Sequence, residues 1–158
     1  MSDFELPRDE EGRIAPHDHP ELVGAARIIR RIHDDYVVDD QEPGSKRLSS
    51  ALFKHRSKTG HLSFDSENCI IAKEREPAEY VTDPKFFGAV IISIDDLRSV
   101  DPATGDEDRW KIGMVPVEGN DCHAGLWGKI TEGRSNTIQR LSDWLVEIPG
   151  VRKLQPEV

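Results

Sequence analysis

The feature that most restricts the fold of this chain is residues 86–94, whose sequence is Phe-Phe-Gly-Ala-Val-Ile-Ile-Ser-Ile. The segment is apolar almost throughout and rich in β-branched side chains, a pattern typical of a central strand covered on both faces. A chain of 158 residues is long enough to bury such a strand in one domain. We therefore expect a single domain built around a sheet.

Three further segments carry strand patterns. Residues 61–65, His-Leu-Ser-Phe-Asp, alternate polar and apolar side chains, which predicts a half-buried strand with Leu62 and Phe64 facing inward. Residues 111–117 and 123–130 have the composition of two strands joined by a short loop, and the loop is long enough for a hairpin.

The first segment with helical spacing lies near the N-terminus. Its apolar positions are Leu22, Ala25, Ile29 and Ile32. This spacing predicts an N-terminal helix that begins after Pro20. Residues 27–38 also fit an extended strand, because Tyr36, Val37 and Val38 favour sheets, so both alternatives remain open there.

The second such segment lies near the C-terminus and is amphipathic. Its apolar positions are Ile138, Leu141, Leu145 and Ile148. Ser135 or Asn136 can cap this helix, and Pro149-Gly150 ends it. Together these elements predict an α+β fold, a mainly antiparallel sheet with an N-terminal helix and a C-terminal amphipathic helix packed on it.

The N-terminal end differs in composition from the rest of the chain. Residues 1–16 are charged, contain two prolines and lack a periodic apolar pattern, which predicts a flexible acidic arm ahead of a single α+β domain at residues 17–158. No apolar run approaches the roughly 20 residues of a membrane span. Because the N-terminus is acidic where a secretory signal would be basic and then apolar, we expect a soluble, cytoplasmic protein.

The charge of the chain is strongly negative but uneven. A formal net charge of -9 argues against nonspecific nucleic-acid binding, which depends on positive charge. Residues 46–58, the basic segment, nevertheless carry five bases and no acid. This segment predicts a local site for an anionic partner, either a protein or a small molecule. Since no catalytic motif is complete, our first hypothesis is a small noncatalytic interaction or ligand-binding module.

The two cysteines, Cys69 and Cys122, are too few for a disulfide framework or a four-thiolate zinc site. We expect two free thiols, with Cys69 packed as a small apolar residue. A Cys122 nucleophile would need a base other than His123, because adjacent residues on a strand point to opposite faces. The sequence therefore does not favour cysteine catalysis.

Residues 120–129 crowd polar and ionisable side chains around two glycines. Asp121 and His123 in this segment, with His61 and Asp65 from the earlier strand, form a set that could hold a divalent ion or relay a proton. We predict His61, His123 and Asp121 as catalytic residues. A small metal-dependent hydrolase is accordingly a further hypothesis.

A second histidine motif lies closer to the N-terminus. His17-Asp18-His19 has the His-x-His spacing of metal sites on strands. Its place beside the acidic arm and two prolines favours a solvated loop instead. The sequence identifies no metal or cofactor.

The predicted ligand-binding residues are Arg31, Arg47, Ser49, Ser50 and Lys129. Guanidinium forks and hydroxyl groups suit phosphate oxygens, which makes a phosphate- or nucleotide-handling transferase another hypothesis. Neither the phosphate-binding loop Gly-x-x-x-x-Gly-Lys-Ser/Thr nor Gly-x-Gly-x-x-Gly occurs. Any nucleotide pocket is therefore of another type.

The order of an arginine on an early strand, the Ser49-Ser50 pair and then short strands resembles the layout of ADP-ribosyltransferases that use NAD. The resemblance implies NAD-dependent transfer chemistry. It covers layout alone, because no glutamate of this chain matches the catalytic position of those enzymes. The site hypotheses depend on one geometric expectation, that His61, His123 and Arg31 line a common cleft.

Overall fold

The computed structural model describes residues 4–54, 60–82, 86–101 and 109–154, which form two β-sheets and several short helices. The strands are β1 (Arg27–His33), β2 (Val37–Asp39), β3 (Lys46–Leu48), β4 (Leu62–Ser66), β5 (Phe86–Ser93), β6 (Lys111–Met114), β7 (His123–Trp127), β8 (Asp143–Val146) and β9 (Val151–Arg152). The main sheet has the order β6-β7-β4-β1-β5-β8 and is antiparallel at every pairing. In the small sheet β3 lies between β2 and β9.

The helices cover both faces of the main sheet. They are a 3-10 helix (Asp34–Tyr36), α1 (Glu67–Ala72), α2 (Pro77–Val81), α3 (Ile94–Val100) and α4 (Glu132–Leu141). Leu97 of α3 and Ile138 of α4 belong to the larger hydrophobic core. Ile70 of α1 and Val81 of α2 belong to a smaller core on the other face. The predicted α+β class and the mainly antiparallel sheet are confirmed.

The strand predicted at residues 86–94 is confirmed as β5, an interior strand between β1 and β8. Val90 and Ile92 face the larger core, whereas Ala89 and Ile91 face the smaller one. This alternation follows from the period of two residues in a strand. The apolar run therefore reflects burial on both faces.

The prediction of an N-terminal helix is wrong, since the first α-helix of the described residues begins at Glu67. Residues 27–33 instead form β1, which pairs with β5 along its length. Ile28 and Ile32 reach the larger core and Ile29 the smaller one, an arrangement that a single helix face could not provide. Pairing with β5 overrides the local helical spacing, and the strand alternative is confirmed for this segment.

The C-terminal helix exists but ends earlier than the apolar spacing predicts. It is capped by Thr131, whose side chain accepts a hydrogen bond from the Arg134 N–H, and it stops at Leu141. Leu145 belongs to β8, which pairs with β5. The helix ends at Leu141 because the residues that follow it pair with β5 as strand β8.

The prediction of two free thiols is wrong, because Cys69 and Cys122 form a disulfide. Cys69 lies in α1, and Cys122 immediately precedes β7. The two residues are 53 positions apart in sequence, with their Cα atoms 5.4 Å apart. Only the packing of α1 against the end of the β6–β7 connection brings them together.

The described part of the N-terminal arm contacts the domain. Leu6 packs against the larger core, and within the arm Arg8 and Ile14 form an isolated β-bridge. The Phe4 ring lies 5.6 Å from that of His17. The flexibility of residues 1–16 and the domain boundary at residue 17 stay predictions. In the ranges described, no helix is long and apolar enough to cross a membrane.

Candidate functional site

The candidate site is a cleft where β1 and β4 diverge. The two strands pair only at Ile28 with Ser66 and at Ile29 with Asp65. Beyond this point β1 continues along β5, and a cavity of about 480 Å³ opens beside it. We call it the β1–β4 cleft, and the lining residues that matter most are Arg30, Arg31, His33, Tyr36, Phe86 and His123.

Arg30 spans the gap between the diverging strands. Its Nη1 donates to the Ser63 carbonyl of β4 at 3.1 Å, and its Nε donates to the Leu52 carbonyl at 3.0 Å. Nη2 donates to the Tyr36 hydroxyl at 2.9 Å, and the Arg30 guanidinium lies 5.2 Å from the centre of the Tyr36 ring. Where β1 and β4 no longer pair, the Arg30 guanidinium thus connects β1 to the Ser63 carbonyl of β4 and holds Tyr36 in place.

Arg31 points to the opposite face of β1 and forms a two-point ion pair with Asp65. Its Nε donates to Asp65 Oδ2 at 2.7 Å, and its Nη2 donates to Oδ1 at 3.3 Å. The Asp65 side chain is only 3% exposed. Asn120 Nδ2 donates to Asp65 Oδ1 at 2.6 Å, so the buried carboxylate is held from both sides of the cleft.

An aromatic ring lies beside each of the two arginines. The Phe86 ring lies 5.6 Å from the Arg31 guanidinium and 6.1 Å from the His33 ring. Tyr36 adds a second aromatic surface beside Arg30. The cleft therefore combines cationic donors with flat apolar surfaces.

Of the three predicted catalytic residues, only His123 lines the cleft. Its Nδ1 lies 2.9 Å from the Val115 carbonyl, and because a carbonyl can only accept, the neutral ring carries its proton on Nδ1. The His61 ring is 5.7 Å from that of His123 and lies over Gly125. Asp121 is exposed and pairs with Lys73 at 2.8 Å. That hydrogen bond lowers the pKa of Asp121.

Of the predicted ligand-binding residues, the structure brings only Arg31 to the cleft. Arg47 donates to the Leu48 carbonyl, and the Ser49 hydroxyl accepts the Ala51 N–H at 3.0 Å. Ser50 is half-buried, and Lys129 is exposed. Residues 55–58 of the basic segment lie outside the described residues. The described basic residues thus do not extend the cleft.

The predicted metal set does not assemble. Within the part of the chain that the structure describes, the one cluster with metal-ligand spacing is His33, Asp34 and Asp35 at the edge of the cleft. Exposed acidic groups commonly cluster without an ion, and His33 Nδ1 accepts the Asp35 N–H as a helix cap. The residues His61, Asp65, Asp121 and His123 form no such cluster.

The His17-Asp18-His19 motif is structural and not a solvated loop, because both histidines are buried. His17 Nδ1 bonds to the Ala15 carbonyl, and its Nε2 accepts the Met114 N–H at 3.3 Å. Asp18 accepts from Arg98 and from the Ile112 N–H. Burial lowers the pKa of His19. The motif fastens the N-terminal residues to β6.

Sequence reasoning missed His33, Tyr36, Phe86 and the role of Asn120. A strand period of two would place Arg31 and His33 on one face of β1, which was a usable signal once the strand alternative was adopted. Phe86 belongs to an apolar run and carries no comparable signal. Comparison with protein-family models, curated proteins and solved structures finds no significant match to this chain.

Proposed function

We propose that this chain binds a nucleotide in the β1–β4 cleft. The observation that carries the proposal is a cavity of about 480 Å³ whose lining includes two arginines and two aromatic side chains. Ligand pockets in proteins commonly measure roughly 300–1,000 Å³. The cleft has the size and the mixed chemistry that a base and a phosphate require.

The anionic part of the ligand binds the guanidinium groups that line the cleft. Guanidinium groups suit phosphate because their N–H donors form a planar fork. Arg31 is pre-oriented by Asp65, and Arg30 is held by backbone carbonyls on two segments. The imidazoles of His33 and His123 add further polar ring nitrogens to the lining of the cleft.

The base stacks on one of the aromatic rings that line the cleft. Stacking of a base on an aromatic side chain contributes about 1–3 kcal/mol. Phe86 and Tyr36 supply such surfaces, and each already contacts a guanidinium plane. A ligand with both a flat ring and a negative charge therefore fits better than a simple anion.

The other hypotheses receive less support. The interaction module on the basic segment stays a prediction, and the internal hydrogen bonds of Arg47 and Ser49 argue against these two residues as its anion site. The metal hydrolase loses its proposed ligand set. The transferase stays a prediction that extends nucleotide binding, and its resemblance to ADP-ribosyltransferases makes NAD one of the ligands to test.

The cytoplasmic location also stays a prediction. Disulfides are rare in cytosolic proteins, where they are usually redox-active, and they are common in oxidising compartments. The Cys69–Cys122 disulfide therefore favours one of two situations. Either the protein lies in an oxidising compartment, or it lies in the cytosol and the disulfide is redox-active. Thiol labelling of the protein in intact cells would measure its oxidation state directly.

The test is calorimetric titration of AMP, ATP and NAD into wild-type protein and two phenylalanine variants. Phe86→Leu removes the ring that lines the cleft, whereas Phe87→Leu makes the same change at a neighbouring side chain that is 43% exposed. We expect Phe86→Leu to weaken binding by about fivefold or more, since one stacking contact is lost. Phe87→Leu should bind within twofold of wild type.

Two outcomes would contradict the proposal. One is the absence of any heat of binding for all three nucleotides at millimolar concentration. The other is binding that Phe86→Leu and Phe87→Leu weaken equally, which would place the nucleotide outside the β1–β4 cleft.

A further inference from the structure

We infer that the Cys69–Cys122 disulfide regulates the β1–β4 cleft, so that nucleotide affinity depends on the redox state of the protein. This inference rests on the proposed nucleotide site and adds its regulation. Its basis is a continuous series of contacts from the disulfide to the Arg31–Asp65 pair.

The first part of that series runs through Asn120. Its Oδ1 accepts hydrogen bonds from the Cys122 N–H at 3.1 Å and from the Tyr80 hydroxyl at 2.5 Å. Its Nδ2 donates to Asp65 Oδ1 at 2.6 Å. Because Oδ1 and Nδ2 belong to one planar amide, a shift of the Cys122 backbone reorients the donor that holds Asp65.

The second part runs through α1. Asp65 and Ser66 end β4, and the Ser66 hydroxyl caps α1 by accepting the Cys69 N–H at 3.2 Å. The Ser66 N–H donates to the Cys122 carbonyl at 2.8 Å. The disulfide thus closes a ring of contacts through Cys69, Ser66, Asp65, Asn120 and Cys122. The carboxylate that orients Arg31 is a member of this ring.

Reduction opens the ring by a balanced two-electron step. A dithiol reductant attacks one sulfur of the disulfide, the sulfur–sulfur bond breaks, and the other cysteine leaves as a thiolate that takes a proton. The second reductant thiol then resolves the mixed disulfide, which yields two protein thiols and an oxidised reductant. Cys69 is half-buried and Cys122 is fully buried, so Cys69 is the more accessible point of attack.

The reduced sulfurs cannot keep their bonded separation. A disulfide holds its sulfurs about 2.05 Å apart, whereas non-bonded heavy atoms of this kind prefer roughly 3.5–4 Å. The two sulfurs must therefore separate by more than about 1 Å, through rotation of the cysteine side chains together with movement of the segments that carry them. Displacements of this size are enough to impair a preorganised binding geometry. Cys122 packs in the smaller core beside Ile29 and Ala89, so its movement also reaches the strands next to the cleft.

The experiment compares oxidised protein, protein reduced with dithiothreitol, and the double variant Cys69→Ser/Cys122→Ser. ADP is the probe, and calorimetry gives its Kd in each state. We expect reduction to weaken ADP binding by at least about fivefold, the lower end of usual coupling between sites. Reoxidation should restore the affinity, and dithiothreitol should not affect the double variant. Circular dichroism verifies that each sample is folded.

A second readout separates failure of this inference from failure of the nucleotide site. The NMR signals of the Asn120 amide group and the Arg31 Nε–H report the contact series without any ligand. If they shift on reduction but no ADP binds in either state, the coupling stands and the nucleotide proposal fails. If ADP binds equally in both states, the inference is overturned whether or not these signals move. Should the double variant fail to fold, reversible reduction of the wild type decides the matter.

Discussion

The ion pair between Arg31 and Asp65 gives a quantitative prediction about the cleft. Arg31→Met keeps much of the apolar side chain but removes the guanidinium. The Asp65 carboxylate, 3% exposed, then retains Asn120 as its described side-chain donor. Removal of one partner from a buried ion pair costs about 3–5 kcal/mol, because the remaining charge is buried without compensation. We expect a loss in this range in the free energy of unfolding.

A double-mutant cycle isolates the pairing itself. Asp65→Asn should cost less than Arg31→Met, because the Arg31 side chain is 20% exposed and can be solvated in part. In Arg31→Met/Asp65→Asn no buried charge remains, so the double variant should be more stable than the sum of the single losses predicts, by about 2 kcal/mol.

Urea unfolding followed by tryptophan fluorescence at neutral pH measures these differences. Lys73→Met is the matched control, because it breaks an exposed ion pair to Asp121, and its urea midpoint should stay close to that of the wild type. Additivity of the two single losses within about 0.5 kcal/mol would refute the coupling. A loss below about 1 kcal/mol for Arg31→Met would refute the buried-charge argument itself.

Three further predictions concern the frame around the cleft. Replacement of both cysteines by serine removes a cross-link across 53 residues, which should lower the free energy of unfolding by about 4 kcal/mol in urea titrations. Gly113→Ala would place its Cβ 2.4 Å from His17 Nε2 and should destabilise the protein by about 1–3 kcal/mol. Gly133→Ala, in α4 with no neighbour within 4 Å, is its control and should not lower the melting temperature. Burial alone would raise the pKa of Asp18, but a backbone N–H and the Arg98 guanidinium lower it below 3.8. The resulting stability is present above about pH 4 and is lost as the pH falls through the folded-state pKa, so Asp18→Asn should flatten acid unfolding curves below pH 4.

Much of the sheet was predictable because strand patterns are local. The apolar run at residues 86–94 became β5, the alternation at residues 61–65 became β4, and residues 111–117 and 123–130 gave the antiparallel pair β6 and β7. The prediction of an N-terminal helix was wrong because the spacing of the isoleucines fits both a helix and a strand that is buried on both faces. Pairing with β5 decided between them.

The site was less predictable. His123 and Arg31 do line one cleft, but His61 contacts the His123 ring without lining the cleft, and Ser49 and Arg47 bond to their own segment. Nothing in the local sequence distinguishes an arginine that faces a cavity from one that caps a nearby carbonyl. The same limit applies to Phe86, which belongs to an apolar run wherever its ring points.

The amino-acid sequence alone determined which side chains can share a face of a strand, because that alternation depends only on the backbone geometry of a few consecutive residues. It thereby predicted that Ser63 and Asp65 share one face of their strand, and that residues 86–94 are buried on both faces. The tertiary structure alone decided that Arg31 meets Asp65, 34 residues away, that β1 leaves β4 to open a cleft, and that Cys69 meets Cys122. These contacts depend on strand register and on the packing of distant segments, which local periodicity does not specify.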